Sequence, residues 1–509
     1  METQILWHIL LASTVYLCIR TVYRLYFHPL SKIPGPRLTA ATHLYEFYYD
    51  VIVGGKFFLQ IEKWHQTYGP IVRINPREVH ISDPTFYDEI YASSTVKREK
   101  DPHFVPIFSS PYSMVATIGH EHHRFRRNIL NNFFSKRSVL ELSPLVKERV
   151  EKLMDRFEGF HRSNGVVRMD DAFAALTSDV ITAYCYGKSW MFLEDEAFRS
   201  DIREAVSDLT SVLHINRFFP LLTSALRATP LWLLAMLQPG KSSLLKFQAE
   251  IFKQSADSIQ GGGKNLSGEK SNPARKTIYD KLSDPSLPPA ERTLQRIQDE
   301  GVVLLAAGTE TTGRALTIAS FYLARDKAMT NRLRDELRQV MPRPTDTVSW
   351  TELEKLPYLN GVVYESLRLS YGLVIRLPRV SPSDALQYKD YIIPPGTPTS
   401  SSSYTVHRDE TIFPDPDKFD PERWIRASHE GKNLTRHLVS FTRGSRACLG
   451  MNLAYMELYL TIASFVRRFD IELHDTTPED MRITHELGIG FTRRGDVQVY
   501  AKVTGVVEN

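Results

Sequence analysis

The stretch whose residue types could do chemistry together is Phe441-Thr442-Arg443-Gly444-Ser445-Arg446-Ala447-Cys448-Leu449-Gly450. One cysteine stands there among two glycines and two arginines, and an amphipathic run from Leu453 to Phe465 follows at once. Because this run predicts a helix, Cys448 lies just before or at a helix N-terminus. The unpaired N–H groups and the positive end of the helix dipole at that place favour a thiolate over a thiol.

The residues beside Cys448 suit a flat, anionic ligand. Gly444 permits a turn that a Cβ atom would obstruct, and Gly450 lets a flat ligand approach the backbone. Arg446 stands two residues before the sulfur and could pair with an anionic group on that ligand. A thiolate in such surroundings suits the iron of a porphyrin, where it favours cleavage of an O–O bond.

The spacing from Phe441 to Gly450, Phe-x-x-Gly-x-Arg-x-Cys-x-Gly, matches the heme-binding signature of the cytochrome P-450 monooxygenases at every fixed position. The chain therefore resembles this family, which implies heme b (iron protoporphyrin IX) as cofactor and Cys448 as the axial ligand of its iron. Phe441, Gly450 and Arg446 would then contact the heme. The alternative is a buried structural cysteine on a glycine-rich turn, which is common for a lone cysteine but leaves the matching spacing unexplained.

A second unusual stretch lies in a helical pattern without proline from Glu291 to about Ala324, which at 1.5 Å per residue is about 50 Å long. Its middle reads Ala306-Ala307-Gly308-Thr309-Glu310-Thr311-Thr312. Glycine and threonine lower helix propensity, so an acid and hydroxyls are unexpected there. The window resembles the family's oxygen-activation motif, which implies Glu310 and Thr311 as the acid and alcohol of a proton relay. Close packing on a neighbouring helix would explain only the glycine.

Glu365-Ser366-Leu367-Arg368 is predicted to lie on another helix, where residues three apart share a face and can pair. Pro421-Glu422-Arg423-Trp424 follows downstream, as it does in the family. The resemblance implies that Arg423 joins Glu365 and Arg368 in an ion-pair network that holds the protein against the heme. A Glu-x-x-Arg pattern alone is more often a solvated ion pair.

The resemblance also implies which basic residues bind the heme propionates. Arg379 matches a propionate-binding position of the family, and Arg446 is a second candidate. Arg127 and His123 fall where the family has the arginine and the tryptophan of a Trp-x-x-x-Arg motif, so this chain has a histidine in place of the tryptophan.

The segment from Ile5 to Ile19 is apolar and carries no formal charge, and Arg20 and Arg24 follow it. This pattern predicts one transmembrane anchor over residues 1–25 with its C-terminal side in the cytosol, although a buried core helix is the alternative. The proline-rich residues 26–37 predict a stiff, non-helical hinge, similar to that of fungal microsomal members of the family.

The composition fits an ordinary globular protein of 509 residues, with 42% hydrophobic and 24% charged residues. The net charge of +4 is spread along the chain, so nucleic acid is not a predicted partner. The three cysteines, Cys18, Cys185 and Cys448, form no Cys-x-x-Cys pair, which fits a reducing compartment. A polar stretch from about 255 to 290, which contains Gly261-Gly262-Gly263, predicts a surface loop.

Residues 38–509 are thus identified as a heme-thiolate catalytic domain with the family's fold, mainly α with a smaller β-rich region. Short strands are expected at residues 71–74 and 79–81, and again at residues 488–491 and 497–500 near the C-terminus. The apolar residues near the motifs are expected to line the substrate pocket: Val303, Ala307, Leu373, Val374 and Ile489.

The resemblance implies a monooxygenase that inserts one oxygen atom of O2 into a lipophilic small molecule. Several segments are similar to fungal secondary-metabolism members, including trichodiene-oxygenase-like ones, which favours a terpenoid, meroterpenoid or polyketide intermediate as substrate. Because no Gly-x-Gly-x-x-Gly unit or flavin module is evident, electrons are expected from a separate NADPH-cytochrome P-450 reductase, with cytochrome b5 as an alternative donor. The expected location is the endoplasmic reticulum membrane.

Two other functions are compatible with parts of the sequence. One is a heme-thiolate isomerase or dehydratase that uses no O2, against which the Glu310-Thr311 pair stands. The other is a non-heme, membrane-anchored enzyme with Cys448 as nucleophile and His407 as base, which leaves the arginine and glycine spacing around Cys448 unexplained.

Overall fold

The computed structural model describes residues 2–237, 242–261 and 277–507. The predicted fold class is confirmed, since the described chain is mostly helical with small sheets. The α-helices are α1 (Glu2–Val22), α2 (Arg37–Ala41), α3 (Leu44–Phe47), α4 (Phe57–Tyr68), α5 (Tyr87–Ile90), α6 (His120–Asn131), α7 (Lys136–Leu140), α8 (Ser143–Ser163), α9 (Met169–Tyr186), α10 (Ser200–Ser211), α11 (Leu213–Phe218), α12 (Pro220–Ala228), α13 (Leu231–Leu237), α14 (Ser242–Gly261), α15 (Ile278–Leu282), α16 (Leu294–Arg325), α17 (Lys327–Arg338), α18 (Trp350–Leu353), α19 (Pro357–Ser370), α20 (Ser403–His407), α21 (Glu422–His429) and α22 (Met451–Arg468).

Shorter helical segments join these elements. Two are π-helical, Tyr23–Phe27 and Tyr48–Ile52. The 3₁₀ turns are Pro84–Phe86, Val105–Phe108, Phe192–Glu194, Pro289–Glu291, Leu434–His437, Gly444–Arg446 and Pro478–Met481.

The strands form four small sheets in the described residues. The strands are β1 (Ile71–Arg73), β2 (Val79–Ile81), β3 (Glu99–Lys100), β4 (Val166–Arg168), β5 (Arg379–Val380), β6 (Leu386–Tyr388), β7 (Tyr391–Ile393), β8 (Pro398–Ser400), β9 (Phe469–Leu473), β10 (His485–Leu487), β11 (Ile489–Phe491) and β12 (Tyr500–Val506). A five-stranded sheet has the order β1-β2-β8-β5-β3, and the others are β4-β12-β9, β6-β7 and β10-β11. The predicted hairpin of β1 and β2 is present, with Ile71 opposite Ile81.

The last predicted strand is wrong in its position, because β12 begins only at Tyr500. The backbone before it is used elsewhere. The Val499 carbonyl accepts a hydrogen bond from the Met169 N–H at 2.8 Å, and the Val499 N–H donates to Asp170 at 3.2 Å. The backbone N–H and carbonyl groups of Val499 are therefore bonded to the start of α9 and are not available to a neighbouring strand.

Helix α16 runs through the core, and 32 residues make it the longest helix in the described chain. The Thr293 side chain caps its first turn by accepting a hydrogen bond from the Arg296 N–H. It packs closely on α9: a Cβ atom on Gly308 would lie 2.8 Å from Ile181 Cγ1. Close packing therefore explains this glycine, but not the acid and alcohol that follow it.

The N-terminal helix and its π-helical continuation form one apolar element, Glu2–Phe27, which is long enough to cross a membrane and contains no buried residue. It passes the predicted boundary at residue 25. Residues 28–36 are non-helical, as predicted, but Leu30 and Ile33 are buried beside Ile71 of β1. The proline-rich segment therefore packs on the domain.

The predicted loop from about 255 to 290 is only partly a loop. Helix α14 continues to Gly261, and α15 occupies Ile278–Leu282. Gly262 and Gly263 lie outside the described residues.

Candidate active site

The turn that carries Cys448 is fixed by backbone contacts. Gly444 has a φ of +72°, and a Cβ atom there would overlap the carbonyl oxygens of Tyr91 and Ala92. The Ser445 N–H donates to the same Ala92 oxygen at 3.0 Å, and the Cys448 N–H donates to the Phe441 oxygen at 2.8 Å. Glycine is thus required at 444 for the reason that the sequence predicts.

The cysteine lies three residues before α22, which begins at Met451. Burial raises the pKa of the Cys448 thiol, and the Gly450 backbone and Arg127 lower it by less. The backbone at the start of the helix does favour the thiolate, as predicted, but desolvation of the charged sulfur outweighs it. Coordination to a metal ion would reverse this balance, since a bound metal stabilises the thiolate directly.

Two observations beside Cys448 fit a flat ligand. The Cys448 side chain has accessible surface, yet protein surrounds it closely enough to desolvate the sulfur. Its accessible surface therefore faces a space inside the protein. A Cβ atom on Gly450 would meet no atom of the chain within 4 Å, so packing within the protein does not require that glycine. Phe441 borders the same turn, with its ring 5.2 Å from that of Tyr455.

A cluster of basic side chains lies near this turn. Arg379 of β5 stands opposite Lys100 of β3, and both are buried. Burial, Arg379 and Arg446 lower the pKa of Lys100, while burial and Arg379 lower that of Arg446 to about 9. The guanidinium of Arg446 donates to the carbonyl oxygens of Thr117 and Ile118 at 2.7 and 2.6 Å, not to a carboxylate.

None of these three cations forms an ion pair with a carboxylate in the described part of the chain. Buried like charges that lower one another's pKa favour an anionic ligand. The arrangement fits the two propionates of a heme. Lys100 is a site residue that sequence reasoning missed, since it lies in the charged run Lys97-Arg98-Glu99-Lys100-Asp101, which is typical of a solvated surface.

His123 and Arg127 lie one turn apart on α6. Burial, together with Arg446 and Lys100, lowers the pKa of His123 to about 2, so this imidazole is neutral beside the cluster. Arg127 donates to the Ala447 carbonyl oxygen at 2.6 Å, next to the cysteine. The structure thus brings both residues to the turn.

Thr311 and Glu310 lie in the middle of α16 but make different contacts. The Thr311 hydroxyl donates to the Ala307 carbonyl oxygen at 2.8 Å, a bond within the helix. Glu310 is buried, and its carboxyl oxygens lie 3.6 Å from nitrogens of Arg203 and Arg314. Thr311 is therefore bonded within its own helix, whereas Glu310 lies between two arginines.

The residues predicted to line the substrate pocket differ in accessibility. On α16, Ala307 is exposed and Val303 is half-buried, although the helix runs through the core. Leu373 is half-buried, and the Ile375 N–H donates to the Gly488 oxygen at 3.2 Å, which brings this segment to the turn before Ile489. Ile489 itself is buried.

The prediction for Val374 is wrong. Its side chain is fully buried within the main hydrophobic core, so it is not on an accessible wall.

Glu365 and Arg368 form a bidentate pair on α19, with both side chains fully buried. Arg368 donates to Glu365 at 2.9 and 2.7 Å, and Trp424 donates its indole N–H to the same carboxylate at 2.9 Å. The Nε atom of Arg423 lies 3.1 Å from Glu365. Sequence reasoning missed the contribution of Trp424.

His407 forms two hydrogen bonds in the same region. Its Nδ1 donates to the Arg368 carbonyl oxygen at 2.9 Å, and its Nε2 accepts from the Val439 N–H at 2.9 Å. Burial lowers its pKa to about 3. Because both ring nitrogens have backbone partners, His407 is not placed to act as a base for Cys448.

The fold and the cysteine turn together define a heme-thiolate oxidoreductase, and comparison with known proteins identifies the family. The family model for cytochrome P450 matches residues 34–496, and the chain belongs to this family. It is 45% identical to conidiogenone synthase PchP450 of Penicillium rubens over 93% of this chain and 94% of that protein. It is 43% identical to cytochrome P450 monooxygenase TRI4 of Trichoderma arundinaceum, over 95% and 92% of the two chains.

These relatives confirm the predicted resemblance to fungal secondary-metabolism monooxygenases, and the protein is an enzyme of that class. A solved structure with a similar fold is the retinoic acid-bound cyanobacterial CYP120A1. The two share 20% identity with a TM-score of 0.64, over 88% of this chain and 94% of the other.

Proposed function

We propose that this protein inserts one oxygen atom of O2 into a terpenoid, meroterpenoid or polyketide intermediate of fungal secondary metabolism. The observation that carries the proposal is the Cys448 turn with the basic cluster of Lys100, Arg379 and Arg446 beside it. The names of the relatives support the substrate class, since one of them is a conidiogenone synthase.

The residues present fit a heme. Cys448 would bind its iron, while Arg379, Arg446, Lys100, His123 and Arg127 would hold its propionate side, and Gly450 and Phe441 would border the ring. When bound, a thiolate-ligated heme supplies the reductive activation of O2 and the cleavage of its O–O bond. The buried network of Glu365, Arg368 and Arg423 would keep the segments around the cysteine turn in place.

The chain's own part in the reaction is proton delivery and substrate positioning. A hydroxyl can accept one hydrogen bond and donate another, which suits Thr311 to hand on a proton. Glu310, the neighbouring buried acid, would supply that proton and regain one from solvent. The apolar residues Val303, Ala307 and Leu373 would orient a lipophilic substrate by shape.

The apolar helix Glu2–Phe27 would anchor the protein in the endoplasmic reticulum membrane, with the domain that follows it in the cytosol. Electrons would come from a separate NADPH-cytochrome P-450 reductase, or in part from cytochrome b5. Attachment to the membrane would also let the enzyme receive a lipophilic substrate from the bilayer.

The test is a turnover assay in membranes that contain this protein and a fungal reductase. Candidate terpenoid and polyketide precursors are supplied under ¹⁸O2 with NADPH, and products are analysed by mass spectrometry. We expect one labelled oxygen atom in the product and no product without NADPH. Conversion of a precursor without O2 or NADPH would instead identify an isomerase or dehydratase and contradict the proposal.

A further inference from the structure

Glu310 belongs to a mostly buried ionic cluster drawn from distant parts of the chain, in which Arg168 is only half-buried. Its members are Arg168, Asp170, Asp171, Arg203, Glu310, Arg314 and Asp496. They come from β4, α9, α10 and α16, and from the segment between β11 and β12. The sequence motif around Glu310 contains none of its partners except Arg314, one helical turn away.

The two carboxyl groups in the middle of the cluster are not equivalent. Arg203 and Arg314 each direct an Nη2 atom to a different oxygen of Asp496 in close contacts, and the Val497 N–H donates to Asp496 at 2.7 Å. Glu310 lies 3.6 Å from each arginine, and the Nε atom of Arg203 that faces it has no hydrogen-bond partner in the described chain. Asp496 therefore takes the charge-assisted hydrogen bonds that Glu310 lacks.

The balance of charges within the cluster also favours a protonated Glu310. Three arginines, Arg168, Arg203 and Arg314, pair with three aspartates, Asp170, Asp171 and Asp496. The three positive and three negative charges cancel, so an ionised Glu310 would be a surplus charge in a buried place. Desolvation of such a charge is costly, and the carboxyl avoids it by keeping its proton.

The pKa values of the two carboxyls agree with this geometry. Burial and the charge of Asp496 raise the pKa of Glu310 to about 7, against the opposite effect of Arg203 and Arg314. Burial alone would raise the pKa of Asp496, but Arg314 and Arg203 lower it to about 2. Two carboxyls that share a site have their pKa values driven apart, and here the one on α16 is the one that holds the proton.

A small polar cavity lies beside the pair. A cavity of about 10 Å³ is bordered by Asp170, Arg203, Glu310, Thr317 and Asp496. That is about the space that one water molecule needs, and the wall supplies polar partners for it. A water there could return a proton to Glu310 after Glu310 has released one.

We propose that Asp496 is a positioning residue for oxygen activation, which keeps a substantial fraction of Glu310 protonated at neutral pH by taking the arginine contacts that would otherwise ionise it. The inference rests on the proposed relay of Glu310 and Thr311. In each cycle Glu310 loses one proton toward Thr311 and regains one from water, while Asp496 stays ionised. The two arginines offset the transient charge on Glu310.

Infrared spectroscopy of the resting, heme-loaded enzyme tests this directly. The carbonyl stretch of the protonated Glu310 carboxyl is assigned by its loss in Glu310→Gln and followed against pH. We expect a wild-type midpoint near 7. In Asp496→Asn the arginines turn to Glu310, and the midpoint falls by about one pH unit or more. Asp496→Glu keeps the charge and should keep the wild-type midpoint.

The pH dependence of coupling is the second measurement. Product formed per NADPH should decrease as pH rises through the Glu310 midpoint, and Asp496→Asn should move this decrease to lower pH. Asp475→Asn, which removes an exposed carboxylate from the same end of the chain, is the control and should change neither measurement.

The outcomes separate the two proposals. If Glu310→Gln leaves coupling unchanged, the proposed role of Glu310 itself is overturned. If Glu310→Gln uncouples the enzyme but Asp496→Asn leaves the midpoint in place, only the inference about Asp496 fails. Should Asp496→Asn not fold, Asp170→Asn removes a negative charge from the same cluster, and an unchanged midpoint in that variant contradicts the charge argument.

Discussion

The buried side chain of Arg73 donates a hydrogen bond to the backbone carbonyl oxygen of Arg24 at 2.8 Å. This contact joins the end of the apolar N-terminal helix to β1 of the catalytic domain. Arg24 in turn donates to the Ala41 oxygen at 2.6 Å. These two contacts of Arg24 therefore tie the end of the apolar helix to the part of the chain that follows it.

Two truncations should separate anchoring from folding. Removal of residues 2–22 should release much of the protein from alkali-treated membranes and leave heme content unchanged, because it keeps the Arg24–Arg73 contact. Removal of residues 2–27 should also lower the melting temperature, since it strands a buried arginine donor, at a cost of about 1–3 kcal/mol. Full-length protein in the soluble fraction would contradict the anchor.

Replacement of Cys448 by alanine should abolish the strongly red-shifted Soret band of the reduced, CO-treated protein, because the thiolate ligand is lost. Cys18→Ala is the matched control, since Cys18 is exposed on α1, and its spectrum should be that of the wild type. Persistence of the band in Cys448→Ala would mean that another residue binds the iron.

The Glu365–Arg368 pair should be worth far more than a surface pair. Arg368→Ala leaves a fully buried carboxylate without its bidentate partner, which costs about 3–5 kcal/mol and should yield little or no heme-loaded protein. Arg338→Ala removes one arginine from an exposed pair with Asp335 and should cost less than about 1 kcal/mol. Both are measured by heme content and thermal unfolding, and equal effects would refute the structural role.

Thr311 should affect coupling more than binding. In Thr311→Ala we expect heme content and substrate binding to remain, product per NADPH to fall, and hydrogen peroxide to account for the difference. Thr311→Ser keeps the hydroxyl and should restore most of the coupling. If Thr311→Ala couples as well as the wild type, the hydroxyl serves only its 2.8 Å bond to Ala307 within the helix.

His214 should make stability depend on pH. It is buried between Asp50, 3.6 Å from Nδ1, and Glu486, whose carbonyl oxygen accepts from Nε2 at 2.9 Å. Burial lowers its pKa, but Asp50 and Glu486 outweigh this and raise it to about 9, with Arg217 opposing them. Arg217 is itself paired with Glu46, which also pairs with Arg376.

The sign of this effect follows from the raised pKa. A folded-state pKa above the unfolded value of about 6.5 means that the stabilisation is complete below about pH 6.5 and disappears as pH rises through about 9. It amounts to about 3.5 kcal/mol at most, at about 1.4 kcal/mol per pKa unit. His214→Gln should therefore be destabilised at pH 6 and little at pH 10, as measured by thermal unfolding. The exposed His429→Gln is the control.

The sequence by itself determined the features that depend on short spacing. The Phe441 to Gly450 turn, the positive φ at Gly444 and the pairing of Glu365 with Arg368 all depend on residues within one turn or one loop. The carbonyl oxygens of Tyr91 and Ala92, which leave no room for a Cβ atom at 444, come from a distant segment. Local backbone geometry dictates such contacts, so residue order is enough to predict them. The position of Cys448 just before a helix is of the same kind.

Only the tertiary structure decided what distant segments bring together. It set Lys100 opposite Arg379 across two strands and placed Asp496 against Glu310. It also buried Val374 in the core and raised the pKa of Cys448. Desolvation and long-range charge pairing depend on which segments pack together, and local periodicity carries no record of that packing.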